Sequence, residues 1–257
     1  MPYHDRVGSR KLTIAAAQSQ SLPGDIARNV AHHLRFARIA AEHGAVLLIF
    51  PELSLIGYEL ALAASYPLLP DSPALNPLRR LAESARMVVV AGAPLPGARG
   101  FLHIAAFAVH PDGSVQTYTK EHVHSSEEPV FTSGPGGPPL HVADTVVALA
   151  ICRDASQPQH AAKAAAGGAK VYAAGVMVDD PGYPRKITLL QKYASEHRMA
   201  VLMANYSGTT GGSLSAGRSA IWSDDGQVVA ASRGTGECLV IGHKDDNGAW
   251  HGAVIPV

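Results

Sequence analysis

Short apolar runs of strand length alternate along this chain with longer stretches in which apolar residues recur every three or four positions. Residues 12–18 read as a strand. Asp25 then reads as an N-cap opening a helix with Ile26, Val30, Leu34, Ala37 and Ala41 on one face, closed by Gly44. Apolar runs at 45–50, 87–93 and 102–109 predict three further strands, and Pro111-Asp112-Gly113 predicts a tight turn that returns the chain as a strand over 114–118. Later strands are expected at 146–151, 170–176, 200–205, 219–222, 228–232 and 238–242, with helices near 158–166 and 184–197.

The hairpin at Asp112-Gly113, and a second expected at Asp225-Gly226, interrupt the regular strand-helix repeat that an eightfold barrel requires. About ten strands against four or so helices exceed one short open sheet covered on both faces. The expected class is therefore α/β, two packed sheets with helices outside, in one domain spanning 1–257 with no low-complexity tract or long linker.

Composition narrows the partners. Of 257 residues 47% are hydrophobic and only 16% charged, which provides for a sizeable core and excludes disorder. The 21 basic residues balance the 21 acidic ones, and no Lys/Arg patch is dense enough to follow a phosphate backbone, so a nucleic-acid partner is not expected. The apolar runs fall short of the roughly 20 residues of a membrane helix, so no membrane partner is expected. Residues 1–10 are polar and lack a secretion-type apolar stretch. Two cysteines supply no disulfide framework, making the cytoplasm the default location.

Three ionisable residues stand where apolar strands end, the positions at which a rigid scaffold meets its loops. Glu52 follows Val46-Leu47-Leu48-Ile49-Phe50-Pro51, and such an approach predicts a partly desolvated carboxylate suited to a general base; the alternative is a solvated loop acid. Cys152 ends Val146-Val147-Ala148-Leu149-Ala150-Ile151 and precedes a helix, so it is either a core thiol or a nucleophile aided by the helix N-terminus. Cys238 lies inside an apolar strand and is assigned to the core. Lys120 alone reads as a surface lysine. Together, a thiol, a carboxylate and an ammonium are the parts of acyl transfer at an amide or nitrile carbon.

Phe50-Pro51-Glu52, Tyr118-Thr119-Lys120-Glu121-His122 and Ile151-Cys152-Arg153-Asp154 resemble, in order and spacing, the three motifs of the nitrilase superfamily of carbon–nitrogen hydrolases. The resemblance runs from Ala17-Gln18 through Gly57-Tyr58 and Asn205–Gly208 to Gly217-Arg218-Ser219. It implies a four-layer α-β-β-α sandwich, commonly dimeric, with Glu52 as base, Lys120 holding the tetrahedral intermediate, Cys152 as nucleophile, and no metal or organic cofactor. It also implies a second glutamate ahead of Phe131-Thr132-Ser133-Gly134, for which the spacing selects Glu127 over Glu128. Arg153 replaces the family's usual aromatic residue, Gln157-Pro158-Gln159 stands in for Phe-Pro-Glu, and Val178 occupies the place of a pocket tryptophan. Pairing of Arg153 with Asp154 is the expected arrangement, with a grip on a substrate carboxylate as the alternative. The expected substrate-binding residues are Tyr58, His124, Arg153, Val178 and Asn205.

Competing expectations are a metal at His122-Val123-His124 with Glu127 and Glu128, a serine amidase built on Gly211-Gly212-Ser213, and a sandwich kept only for binding. His122 already belongs to the lysine motif, and the stretch 208–217 has the composition of a plain flexible loop. Amide or carbamoyl hydrolysis ranks above nitrile hydrolysis, with a small-molecule amide as substrate.

Overall fold

The computed structural model describes residues 12–257, so the polar start at 1–10 lies outside the described residues. The elements are β1 (Thr13–Gln18), α1 (Ile26–Glu42), β2 (Leu47–Ile49), α2 (Asn76–Ala85), β3 (Val88–Pro96), β4 (Leu102–Val109), β5 (Val115–Thr119), β6 (Leu140–Val142), β7 (Thr145–Ile151), α3 (Pro158–Ala166), β8 (Val171–Gly175), α4 (Tyr183–His197), β9 (Ala200–Ala204), β10 (Thr209–Thr210), β11 (Ser213–Leu214), β12 (Ala220–Trp222), β13 (Val228–Ala231), β14 (Cys238–Lys244) and β15 (Trp250–Pro256). One sheet runs β15-β14-β1-β2-β3-β4-β5 and the other β13-β12-β9-β8-β7-β6. Within them β1, β2 and β3 are parallel, as are β7, β8 and β9, and antiparallel strands flank both triplets.

The strand pattern explains the layering. Leu47 and Ile49 of β2 point into the core shared with Leu149, Ile151 and Leu202 of the facing sheet. Leu48, one residue out of phase, packs outward with Phe36 and Leu78 of α1 and α2. Tyr172 and Met203 likewise face α4 through Leu190 and Tyr193. Parallel strands buried on both faces read as continuous apolar runs, and the result is the expected α-β-β-α sandwich. Among the described residues no helix is long and apolar enough to cross a membrane.

Several expectations shift. In α1 the buried face contains Asn29, His33 and Phe36 with Val30 and Ala37, while Leu34 and Ala41 are only partly buried. The polar pair is affordable because both side chains are fully hydrogen-bonded, and their polarity disguised the stripe. Helix α2 and strands β6 and β15 escaped the reading, β15 because most of it faces outward. The stretch 208–217 is not a plain loop: β10 and β11 pair across Gly211 and Gly212, whose φ values of 56° and 74° are those of a mirror-image two-residue hairpin turn.

Candidate active site

Glu52, Lys120 and Cys152 follow the carboxyl ends of β2, β5 and β7, so the two sheets bring them together from opposite sides. The turn after β2 is packed tightly from the neighbouring strand β3 and from β8 of the facing sheet. A Cβ on Gly92 would lie 2.4 Å from the backbone N of Leu53, and one on Gly175 would lie 2.6 Å from the carbonyl oxygen of Phe50. Two glycines thus admit the turn that carries Glu52.

That turn is fixed from α1. His33 stacks on Phe50 at 3.8 Å; its Nδ1 meets the Asn29 carbonyl oxygen at 2.7 Å and its Nε2 meets Ser54 Oγ at 2.9 Å. The carbonyl only accepts, so Nδ1 carries the proton and Nε2 accepts from the serine hydroxyl. Burial pushes the His33 pKa down to about 3, so the ring stays neutral and the hydrogen-bond pattern has one sense. No local sequence signal marks this histidine apart from its helical spacing.

Lys120 is fully buried and its Nζ donates to Glu52 Oε1 at 2.7 Å and to both oxygens of Glu127 at 2.7 Å. Glu127 also accepts from the Tyr58 hydroxyl at 2.6 Å and from the backbone N–H of His124 at 2.7 Å. Its neighbour Glu128 is exposed. Both Glu127 oxygens are therefore occupied, whereas Glu52 Oε2 is buried with no hydrogen-bond partner among the described residues. Burial raises the Glu52 pKa to about 7 despite Lys120, with Glu127 adding to the rise and the nearby Cys152 thiol working against it. Burial opposes the Lys120 charge, but Glu52, Cys152 and Glu127 outweigh it and hold the lysine above its ordinary pKa.

Cys152 has φ 42°, a left-handed backbone that side-chain-bearing residues seldom adopt, at the junction of β7 with a short helical turn, Cys152–Ser156. Its Sγ lies 3.5 Å from the Met177 carbonyl oxygen. Burial and Glu52 push the thiol up to about 11, with Lys120 and Lys186 pulling the other way. At neutral pH the resting sulfur is protonated, beside a carboxylate with one oxygen unclaimed. Cys152 lines a cavity of about 560 Å³ together with His124, Arg153, Val178, Arg185 and Lys186.

Asp154 ties the lysine segment to the cysteine turn. Fully buried, it accepts from the Ile151 N–H at 3.2 Å, the His122 N–H at 2.8 Å and the Tyr118 hydroxyl at 2.8 Å, and meets His122 Nδ1 at 3.0 Å. Behind it the Tyr118 oxygen meets His160 Nε2, and His160 Nδ1 meets the Tyr172 hydroxyl, each at 2.8 Å. Burial lowers the His160 pKa, so a neutral ring takes the Tyr172 proton on Nδ1 and donates from Nε2. This chain was not foreseen from the sequence.

Two expectations change. Asp154 does not pair with Arg153: the short turn sends the acid inward and leaves the guanidinium exposed at the cavity, without a carboxylate partner among the described residues. Asn205 is not a cavity residue. Completely buried, it accepts from the N–H groups of Val178 and Tyr206 and donates to the carbonyls of Val178 and Gly217, which commits its whole amide to the backbone. Ser213 is exposed in the small hairpin, whose Thr210 hydroxyl accepts from Tyr58 N–H at 2.8 Å, so the segment braces the tyrosine. Cys238 is buried in β14. Among the described residues no group of three His, Cys, Asp or Glu is arranged to hold a metal ion.

A layered sandwich that gathers an acid, an ammonium and a thiol, the last of them lining a cavity, has the build of a cysteine hydrolase. The sequence model of the carbon–nitrogen hydrolases matches residues 13–247, and the chain belongs to that family, within the nitrilase superfamily. It is 28% identical over 246 residues to a Pseudomonas protegens protein described as the hydrolase in the pqqF 5′ region, covering 93% of this chain and 84% of that one. Among solved structures it resembles the amidase from Nesterenkonia sp. AN1. A glutamate-to-glutamine variant bearing the acetamide moiety of fluoroacetamide on the active-site cysteine superposes with a TM-score of 0.83 at 25% identity, covering 93% of this chain and 92% of that one. A cysteine-to-alanine variant in complex with butyramide gives 0.80 at 25% identity over 91% of each chain.

Proposed function

We propose that this hydrolase cleaves a small amide through a thioester on Cys152, with Glu52 as the proton-transfer group and Lys120 as the oxyanion partner. The observation that carries this reading is the unpartnered Glu52 Oε2 in a buried cluster whose other oxygens are all held. As Sγ attacks the amide carbon, its proton moves to Oε2; burial holds the thiol above its ordinary pKa, so the resting sulfur keeps its proton and transfer accompanies attack. Lys120 Nζ and the Arg153 backbone N–H receive the charge on the carbonyl oxygen. Glu52 returns the proton to the leaving nitrogen, the C–N bond breaks, and ammonia or an amine departs. Water then attacks the thioester, giving its proton to Glu52; the acid leaves, and the proton returns to sulfur. Glu127, with Tyr58 hydrogen-bonded to it, keeps the ammonium in place.

The acetamide moiety and butyramide held by the Nesterenkonia amidase favour an amide over a nitrile. The unpaired cysteines fit a reducing cytoplasm, and the family resemblance carries a homodimer or larger assembly of one-domain subunits. Mass spectrometry of the intact protein mixed with a panel of amides tests the reaction. An acyl adduct on Cys152 is expected; undiminished hydrolysis by Cys152→Ala would overturn the mechanism.

A further inference from the structure

The cavity carries in its lining more positive charge than the described residues neutralise. Among the described residues it is lined by Arg153, Arg185 and Lys186, against the single carboxylate of Asp179. That acid is already engaged, its Oδ1 accepting from the Gly182 N–H at 2.9 Å in the turn that opens α4. The chain as a whole is electrically balanced, so the excess is local.

Lys186 is the informative member. It is 7% exposed, and its Nζ donates to the carbonyl oxygen of Cys152 at 2.8 Å and to Ser156 Oγ, yet no carboxylate pairs with it among the described residues. A buried ammonium is ordinarily matched by a negative partner, because desolvation is otherwise uncompensated. Burial indeed lowers its pKa. Arg153 and Arg185 are exposed and likewise form no ion pair among the described residues. An electrostatic pull on the thiol needs only Lys186; it gives no reason for two guanidinium groups facing the same space.

We propose that Arg153, Arg185 and Lys186 form a carboxylate-binding subsite, so that the amide cleaved at Cys152 carries a second, acidic group. The guanidinium fork matches a carboxylate through two parallel hydrogen bonds. Arg153 adjoins the nucleophile in the chain and lines the same cavity, so its guanidinium is within side-chain reach of an acid carried a few bonds from the reacting carbon. The substrate class is a short dicarboxylic acid monoamide. This rests on the amide-hydrolase reading above.

The test compares succinamate with butyramide, in which a terminal methyl stands where succinamate has its carboxylate. The ratio of their kcat/KM values is expected to favour succinamate at least about tenfold, to shrink with added salt, and to fall about tenfold in Arg153→Gln and in Arg185→Gln. A purely structural loss would lower both substrates alike and leave the ratio unchanged. A second readout needs no turnover: alkylation of Cys152 by iodoacetate relative to iodoacetamide, each normalised to free cysteine, is expected to favour the anion and to lose that bias in both variants. Hydrolysis of butyramide with no preference for succinamate would overturn the subsite and leave the amidase reading standing. An iodoacetate bias without hydrolysis or an acyl adduct would support the subsite while removing the amidase reading.

Discussion

The buried cluster around Lys120 and the lining of the cavity at Cys152 handle charge in opposite ways. In the buried cluster Lys120 is clasped by Glu52 and Glu127, and Glu127 is held in turn by Tyr58 and the His124 backbone. In the cavity lining three cations stand against one engaged carboxylate among the described residues. Groups whose position sets the geometry of the reaction are immobilised by their neighbours, whereas exposed guanidinium groups keep donors in reserve for what enters the cavity.

The contrast can be broken from either side. Cys152→Ala is expected to lower turnover by at least about 10³-fold, with little change in Tm, measured by ammonia release and calorimetry. Lys120→Met should destabilise the fold by about 3–5 kcal/mol in urea titration, because it leaves two carboxylates buried without their cation. The pH profile sharpens the picture next. Glu52 must be unprotonated to act, so kcat/KM should rise about tenfold per pH unit up to about 7 and flatten above it. In the cavity lining, Arg153→Gln combined with Arg185→Gln should change unfolding free energy by less than about 0.5 kcal/mol, since both side chains are exposed and neither forms an ion pair among the described residues. Ser213→Ala, in an exposed hairpin strand, should leave turnover unchanged.

The sequence made the layers and the central cluster legible because both are written locally: strand-length runs, apolar before Glu52 and Cys152, each ending in one ionisable residue. What it could not convey depends on direction or on distant partners. Arg153 and Asp154 look like a pair as chain neighbours, yet a short helical turn sends one outward and the other into the core. Asn205 reads as an open polar residue at a strand end, but the backbone of two other segments consumes its amide. Lys186 sits inside an ordinary helical pattern, and only folding shows that its ammonium reaches the carbonyl of the nucleophile. His33 and the line from Tyr172 through His160 and Tyr118 to Asp154 are hidden for the same reason: their meaning lies in partners many residues away.

The left-handed backbone of Cys152 also limits which reactive side chains could ever stand there. Serine, unbranched at Cβ, tolerates that conformation much as cysteine does, whereas the two heavy substituents on the threonine Cβ would crowd the flanking peptide groups. Steric tolerance at one residue has therefore narrowed the nucleophiles open to this scaffold before any question of reactivity arises.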